Sequence, residues 1–369
     1  HFGTIREWIE ALTVIVDTGE EHHISDGVTP SGRLLGIYQA VFPLLTESGP
    51  ILRAGKPELH DDATGYSLWN TSIGPRQLLD QLVGSEGTLS ILTSITFRIT
   101  PHKPYITTIC IPIRDKKFLT LYSDIAKHHK AEHLFFYDAT FMELTDRYHL
   151  SLIPPIEDSH YSLLVSFSSQ NKEDLVIQLR TFIRALSIDE SSVDYYHGKQ
   201  FLERITNKIF LFSLFHSYTQ GAYTPITIGD GIIVSQHNYT RILEDLENYL
   251  YSTGKLYVLN GNIGSGHISV ITLFDPQSKT YEHDITIYTQ TIFGFVKKYR
   301  GGISAQNGEG LSRTPYIDHV YNEATLAIFK KIKDAWDPLH ILNSGKKVSV
   351  TKQYLKEHLL GKIEINDSK

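Results

Sequence analysis

Four short segments carry residue types that could do chemistry. Gly84-Ser85-Glu86-Gly87-Thr88-Leu89 places two glycines among small polar residues. Glycine there lets backbone N–H groups approach an anionic ligand closely. The same text also fits a tight turn before a strand. Gly261-Asn262-Ile263-Gly264-Ser265-Gly266-His267-Ile268-Ser269 is a second glycine-rich bend. Its glycine order is not a dinucleotide fingerprint, and it precedes a strand rather than a helix. Alternation puts His267, Ser269 and Ile271 on one face and Ile268, Val270 and Thr272 on the other. The second face reads as core, which leaves His267 and Ser269 toward a cleft or the surface. Gly302–Gly310 gathers Gln306, Asn307 and Glu309 in a loop, suited to lining a polar site or to plain solvation. Asn343-Ser344-Gly345-Lys346-Lys347 reads as a turn after a helix.

Other chemistries find little support. The single cysteine, Cys110, cannot form an internal disulfide or a thiolate zinc site. Histidine pairs such as His22-His23 and His128-His129 lack partners at metal-site spacing and read as surface residues. The net charge of −6 argues against a nucleic-acid partner. No apolar run approaches the ~20 residues a membrane helix needs. A reducing compartment fits one cysteine, so the expected location is cytoplasmic, with peripheral attachment to a membrane left open.

The elements that must position these segments follow from periodicity. Leu12–Val16 and Leu89–Ile99 read as strands, with Pro101 and Pro104 marking a boundary. Strands and helices then alternate. Ile106–Ile113, Leu134–Tyr137, Tyr161–Phe167, Ile228–Val234, Leu256–Leu259 and His267–Leu273 have strand character. Helical stripes run through Leu175–Leu186, Tyr239–Leu250, Tyr281–Tyr299 and Tyr321–Ala335. With 369 residues, 41% of them hydrophobic, the chain can bury two or three cores. The pattern is mixed α+β.

Order and spacing make the motifs specific together. Asp62–Leu68, then Leu82-Val83-Gly84-Ser85-Glu86-Gly87-Thr88-Leu89, resembles the flavin-linked oxidase family of D-lactate dehydrogenases, the glycolate oxidase flavin subunit and D-2-hydroxyglutarate dehydrogenase. Gly261–Ser269 resembles the family's "G-H-x-G-D-G-N-x-H". Gly302–Gly310 resembles "G-S-x-S-G-E-H-G-x-G", and Asp337–Lys346 resembles "D-P-x-x-I-L-N-P-G-K".

The resemblance implies a vanillyl-alcohol-oxidase-type fold. Residues 1–103 would be the C-terminal half of the FAD-binding domain, its N-terminal half lying outside this chain. Residues 104–300 would form an α+β cap domain with an antiparallel sheet, and 301–369 would return to the flavin. It further implies FAD contacts at Gly65, Tyr66, Gly84, Ser85, Glu86, Gly87, Thr88, Asn343 and Lys346. Relatives hold a divalent metal and a histidine base at positions that here read Asn262, Ser269, Gln306 and Asn307. Neutral amides and a hydroxyl are poor metal ligands, and an amide is no general base. No resident metal is therefore expected. His267 and Glu309 are the candidate replacement bases, Asn307 occupies the base position, and Lys208 is the candidate carboxylate-holding cation, beside the plain reading of a solvated helix charge. The implied activity is oxidation of a 2-hydroxy acid or related alcohol by hydride transfer to FAD. Electrons would pass on to a quinone, a partner protein or oxygen. The alternatives are a catalytically degenerate FAD-binding subunit, or a different reaction on an alcohol or sugar lactone.

Overall fold

The computed structural model describes residues 3–59, 61–69, 74–147, 159–205 and 208–348. The chain divides into two compact units. One is Gly3–Thr100 together with the segment from Val296; the other is Pro101–Phe295.

The first unit opens with β1 (Ile9–Ile15) and β2 (Glu21–Ser25), which pair antiparallel, with Leu12 opposite Ile24. Two helices follow, α1 (Gly32–Glu47) and α2 (Gly49–Gly55), then α3 (Arg76–Leu82). β3 (Ile91–Phe97) returns to the other edge of β1, giving the order β2-β1-β3. The text between α3 and β3 is the glycine-rich segment 84–88, so a helix and a strand fix both of its ends. Arg6 donates to the carbonyls of Asp80 at 3.3 Å and Val83 at 2.8 Å, holding the last turn of α3 in place.

The second unit is built on a sheet of order β7-β4-β6-β5-β9-β10-β8, every described pairing antiparallel. Its strands and helices run in sequence as β4 (Tyr105–Ile113), α4 (Lys117–His128), β5 (His133–Asp138), α5 (Ala139–Arg147), β6 (Tyr161–Ser169) and α6 (Lys172–Leu186). Then come β7 (Asp194–His197), α7 (Lys199–Ile205), α8 (Lys208–Thr219), β8 (Thr224–Ile233) and α9 (Gln236–Ser252). β9 (Tyr257–Asn262), β10 (His267–Phe274) and α10 (Tyr281–Lys298) complete the series.

Helices cover both faces of this sheet. On one, Val258, Ile271 and Leu273 pack with Phe141, Met142 and Leu144 of α5 and with Leu214 and Phe215 of α8. On the other, Phe136 meets Tyr239 of α9, Phe167 meets Phe182 of α6, and Phe274 meets Tyr288 of α10. Alternation therefore does not separate core from surface here. All eight residues of β10 are buried, and the expected cleft-facing or exposed His267 is only 4% exposed. A strand covered on both faces buries its polar residues along with its apolar ones.

The C-terminal segment returns to the first unit through α11 (Gly310–Arg313) and α12 (Glu323–Trp336). Asn322 caps α12 by accepting the N–H of Thr325 at 2.9 Å, which satisfies one free donor of the first turn. Ile328, Phe329, Ile332 and Trp336 form its buried stripe. Asp337-Pro338 ends it, because proline has no N–H to continue the ladder. Trp336 Nε1 donates to Gln81 Oε1 of α3 at 2.9 Å, tying this helix to the one that leads into residues 84–88.

Candidate functional site

In the first unit the turn at 84–88 is built from left-handed backbone. Gly84 has φ 86°, Glu86 56° and Gly87 70°. Glycine adopts this region freely, whereas Glu86 does so at a cost. What offsets that cost is its carboxylate, which accepts N–H bonds from Glu309 at 2.8 Å and Gly310 at 2.9 Å. Ser85 O accepts both the N–H of Thr88 at 3.0 Å and its hydroxyl at 2.7 Å. With that proton committed, the Tyr66 hydroxyl donates to Thr88 Oγ1 at 2.8 Å. The main-chain N–H groups of Glu86 and Gly87 donate to no acceptor among the described residues, and a Cβ at Gly87 would meet nothing within 4 Å. Consecutive free N–H groups beside open space form an anion-binding concavity.

Of the other predicted cofactor residues, Tyr66 and Asn343 bond to this turn, Gly65 reaches it through Glu309, and Lys346 forms no bond to it among the described residues. Gly65 has φ 71° and donates its N–H to the Glu309 carboxylate; a Cβ there would sit 2.3 Å from the Phe329 ring. Asn343 Nδ2 donates to Glu86 O, so the C-terminal return touches the turn directly. Lys346 is half-exposed and its side chain forms no ion pair among the described residues. Its neighbour Lys347 is the buried one, with no solvent exposure. Lys347 Nζ lies 3.1 Å from Glu86 Oε1 and contacts the Glu309 carboxylate. A second buried cation, Lys333, donates to Thr88 O at 2.6 Å, Leu342 O at 2.8 Å and Asp337 Oδ2. Neither lysine stands out in sequence, because a Lys-Lys pair and a mid-helix lysine look like solvated charges.

Loop 302–310 belongs to the same unit. Its Ser304 is tied to the 62–66 segment: Ala63 N–H donates to Ser304 O at 2.7 Å, and Ser304 N–H to Thr64 Oγ1 at 3.2 Å. Ser304 Oγ is buried with no partner among the described residues. Arg313 holds the loop's tip through the carbonyls of Gln306 at 3.2 Å and Gly308 at 3.1 Å. Gln306 and Asn307 themselves are exposed. Glu309 is 1% exposed and tied to Lys347 and Gly65. Burial pushes its carboxyl up to about 7, against the pull of Lys347.

The hairpin of β9 and β10 lies in the second unit. A Cβ on Gly266 (φ 83°) would sit 2.0 Å from Val234 O, so the bend admits only glycine. Pairing sets a cross-strand row of Asp230, Ser269, Asn260 and Tyr137 on four neighbouring strands. Directly paired residues share a face. His267 Nε2 stands 3.9 Å from Asp230 Oδ1, both side chains buried. Asn260 Nδ2 is buried without a hydrogen-bond partner among the described residues. Asn262 Oδ1 accepts the N–H of Ser265 at 3.3 Å and so closes its own turn. Lys208 begins α8, and its side chain lies outside what the structure describes. Asp230 is a polar partner that periodicity alone did not single out.

Among the described residues no group of three or more His, Cys, Asp or Glu could hold a metal ion. His22 pairs instead with Glu20 at 3.2 Å, and His128 and His129 contact each other edge to face. No described helix is long and apolar enough to cross a membrane.

Comparison with known proteins matches residues 117–347 to the family described as FAD linked oxidases, C-terminal domain. The chain is 24% identical over 313 residues to a D-2-hydroxyglutarate dehydrogenase of Stutzerimonas stutzeri, covering 82% of this chain and 63% of that protein. It is 20% identical over 356 residues to a D-lactate dehydrogenase of Anaerostipes hadrus, covering 94% and 65%. It therefore spans slightly less than two thirds of these relatives' length. Among solved structures, p-cresol methylhydroxylase with substrate bound superposes with a TM-score of 0.59 at 11% identity, over 92% of this chain and 65% of that one. The 4-ethylphenol oxidase of Gulosibacter chungangensis, in complex with isoeugenol, gives 0.58 at 12% identity, over 94% and 67%. The fold is thus that of vanillyl-alcohol-oxidase-type flavoproteins, and the chain belongs to the FAD-linked oxidase family.

Proposed function

We propose that this chain is the greater part of an FAD-dependent oxidoreductase that oxidises the hydroxyl-bearing carbon of a 2-hydroxy acid or a related alcohol. The observation that carries the reading is the Gly84–Thr88 turn. Its free N–H groups, left-handed backbone and open space suit the phosphates of FAD. The relatives named as D-2-hydroxyglutarate and D-lactate dehydrogenases support the substrate class.

When bound, FAD supplies the two-electron acceptor, taking hydride from the substrate carbon. Residues 84–88 would hold it, and Tyr66, Thr88 and Asn343 keep that turn in shape. The hydroxyl proton must go to a side chain. We assign that role to His267, whose imidazole has the Asp230 carboxylate beside it to stabilise the protonated form. Glu309 and Asn307 are weaker candidates, because Glu309 is committed to Lys347 and Asn307 cannot titrate. Lys208 is retained as the substrate-carboxylate cation on sequence grounds only. The electrons leave to a quinone, a partner protein or oxygen.

A second reading has its own support. The positions where relatives carry metal ligands and base are Asn262, Ser269, Gln306 and Asn307, and Asn262 is spent on its own turn. A degenerate FAD-binding subunit would look like this. The visible spectrum of the FAD-reconstituted protein, before and after anaerobic D-lactate or D-2-hydroxyglutarate, decides between the two. A bleached flavin band establishes the dehydrogenase. A band that persists with both acids favours the degenerate subunit. Absence of any bound flavin in the complete protein overturns both.

A further inference from the structure

Three segments far apart in sequence meet at one ammonium group in the first unit. Lys347 Nζ contacts Glu86 Oε1 at 3.1 Å, the Glu309 carboxylate, and the carbonyls of Ala63 at 3.3 Å and Gly65 at 3.2 Å. Glu86 accepts the N–H groups of Glu309 and Gly310, and Glu309 accepts that of Gly65. The segment at 63–66, the turn at 84–88 and the loop at 302–310 are thereby fixed to one another.

A buried ion cluster is a poor way to gain stability. Well-packed apolar residues of similar volume do as well or better. What a cluster of this kind does supply is geometry, since each charge accepts only a few partner positions. Its charge is also unbalanced. Two carboxylates face one ammonium, so a single proton is needed for neutrality. We propose that Lys347 and Glu309 are positioning residues of the flavin cradle, setting the Gly84–Thr88 turn through the Glu86 carboxylate and holding one proton there. This rests on the reading that the turn receives FAD.

The surrounding groups agree with that assignment. Burial raises Glu309 to about 7, while for Glu86 the pull of Lys347 and the Glu309 amide outweighs burial and leaves its carboxyl low. Burial therefore favours the protonated form at Glu309. Among the described residues, the other charged and titratable groups around the cluster include Tyr66, Tyr321 with its partner Asp62, and the Lys333–Asp337 pair on Thr88 O, while Arg313 is turned to the carbonyls of its own loop. As pH rises through about 7, Glu309 ionises and the cluster takes a net negative charge beside the turn. That loosens the clasp and repels an anionic cofactor.

The test uses the full chain as wild type, Lys347→Met, Lys347→Arg and Glu309→Gln. FAD affinity is read by fluorescence at pH 6 and pH 8, and amide hydrogen exchange at residues 84–90 and 304–311 is followed without cofactor. Wild type should bind FAD roughly three- to tenfold more weakly at pH 8 than at pH 6, and Glu309→Gln should lose that dependence. Lys347→Met should weaken FAD at least about tenfold at both pH values and speed exchange in both segments. Lys347→Arg should restore much of the protection. Unaltered exchange in Lys347→Met, or a Glu309→Gln protein that keeps the wild-type pH slope, overturns the proposal. If the complete protein binds no FAD, the functional reading falls, while the exchange data still decide whether the clasp exists. Should Lys347→Met fail to fold, Glu309→Gln and Lys347→Arg settle the matter between them.

Discussion

The cradle region of the first unit and the hairpin region of the second handle polarity in opposite ways. Around residues 84–88 the protein buries charges and pairs them: Lys333 with Asp337, and Lys347 with Glu86 and Glu309. Around residues 260–269 it buries neutral groups, Asn260, Asn262 and Ser269, with one imidazole–carboxylate contact. The difference teaches where shape is prescribed. Paired buried charges fix three chain segments against each other, as a site of set backbone form requires. Neutral hydroxyls and amides leave the His267–Asp230 contact as the hairpin's titratable pair.

The largest expected effect attacks the charged side. Lys333→Met leaves Asp337 buried without its cation and strips a donor from Thr88 O and Leu342 O. It should cost about 3–5 kcal/mol in chemical denaturation of the first unit. A loss below about 1 kcal/mol would mean that buried charge does not organise the cradle. The matching test on the neutral side is His267→Ala. We expect flavin reduction by substrate to slow about a hundredfold or more with little change in FAD affinity. Undiminished turnover in a folded variant would remove His267 as the base and equalise the two regions.

Gly266→Ala comes next. The new Cβ would press on Val234 O from a left-handed backbone, a cost of roughly 2–3 kcal/mol read as a lower unfolding midpoint. A neutral outcome would show that the β9–β10 hairpin is less rigid than its contacts indicate. The smallest effect is the pH dependence of stability. Glu309 titrates higher in the folded chain than in the unfolded one, so the native state holds more protons between about pH 4.5 and 7. Stability should therefore fall as pH rises through that window. Asp138, which burial raises to about 7, adds to the same slope from the second unit. Only the difference between wild type and Glu309→Gln isolates the cradle, and identical slopes in the two proteins would clear Glu309 of the role.

Much of this architecture was legible before any coordinates. β4, β5, β6, β8, β9 and β10 follow runs of β-branched and aromatic residues, and α9 and α12 follow their apolar stripes, whereas the four-residue β7 was not singled out. α1 escaped notice because Gly32, Gly36 and Pro43 interrupt its pattern, yet Leu34, Ile37, Val41 and Leu45 still line up on its buried side. His267 was misplaced because alternation presumes one wet face, and this sheet has helices on both.

The sequence by itself determined the family and the glycines of the turn, since motif order and φ-permissive residues are local properties. Only the tertiary structure decided which lysine is buried and paired. Lys346 and Lys347 are equivalent in spacing and composition, but one is half-exposed and the other meets two carboxylates from segments about 40 and 260 residues away in the chain. Burial and long-range pairing, not residue type, separate a solvated charge from a positioning one.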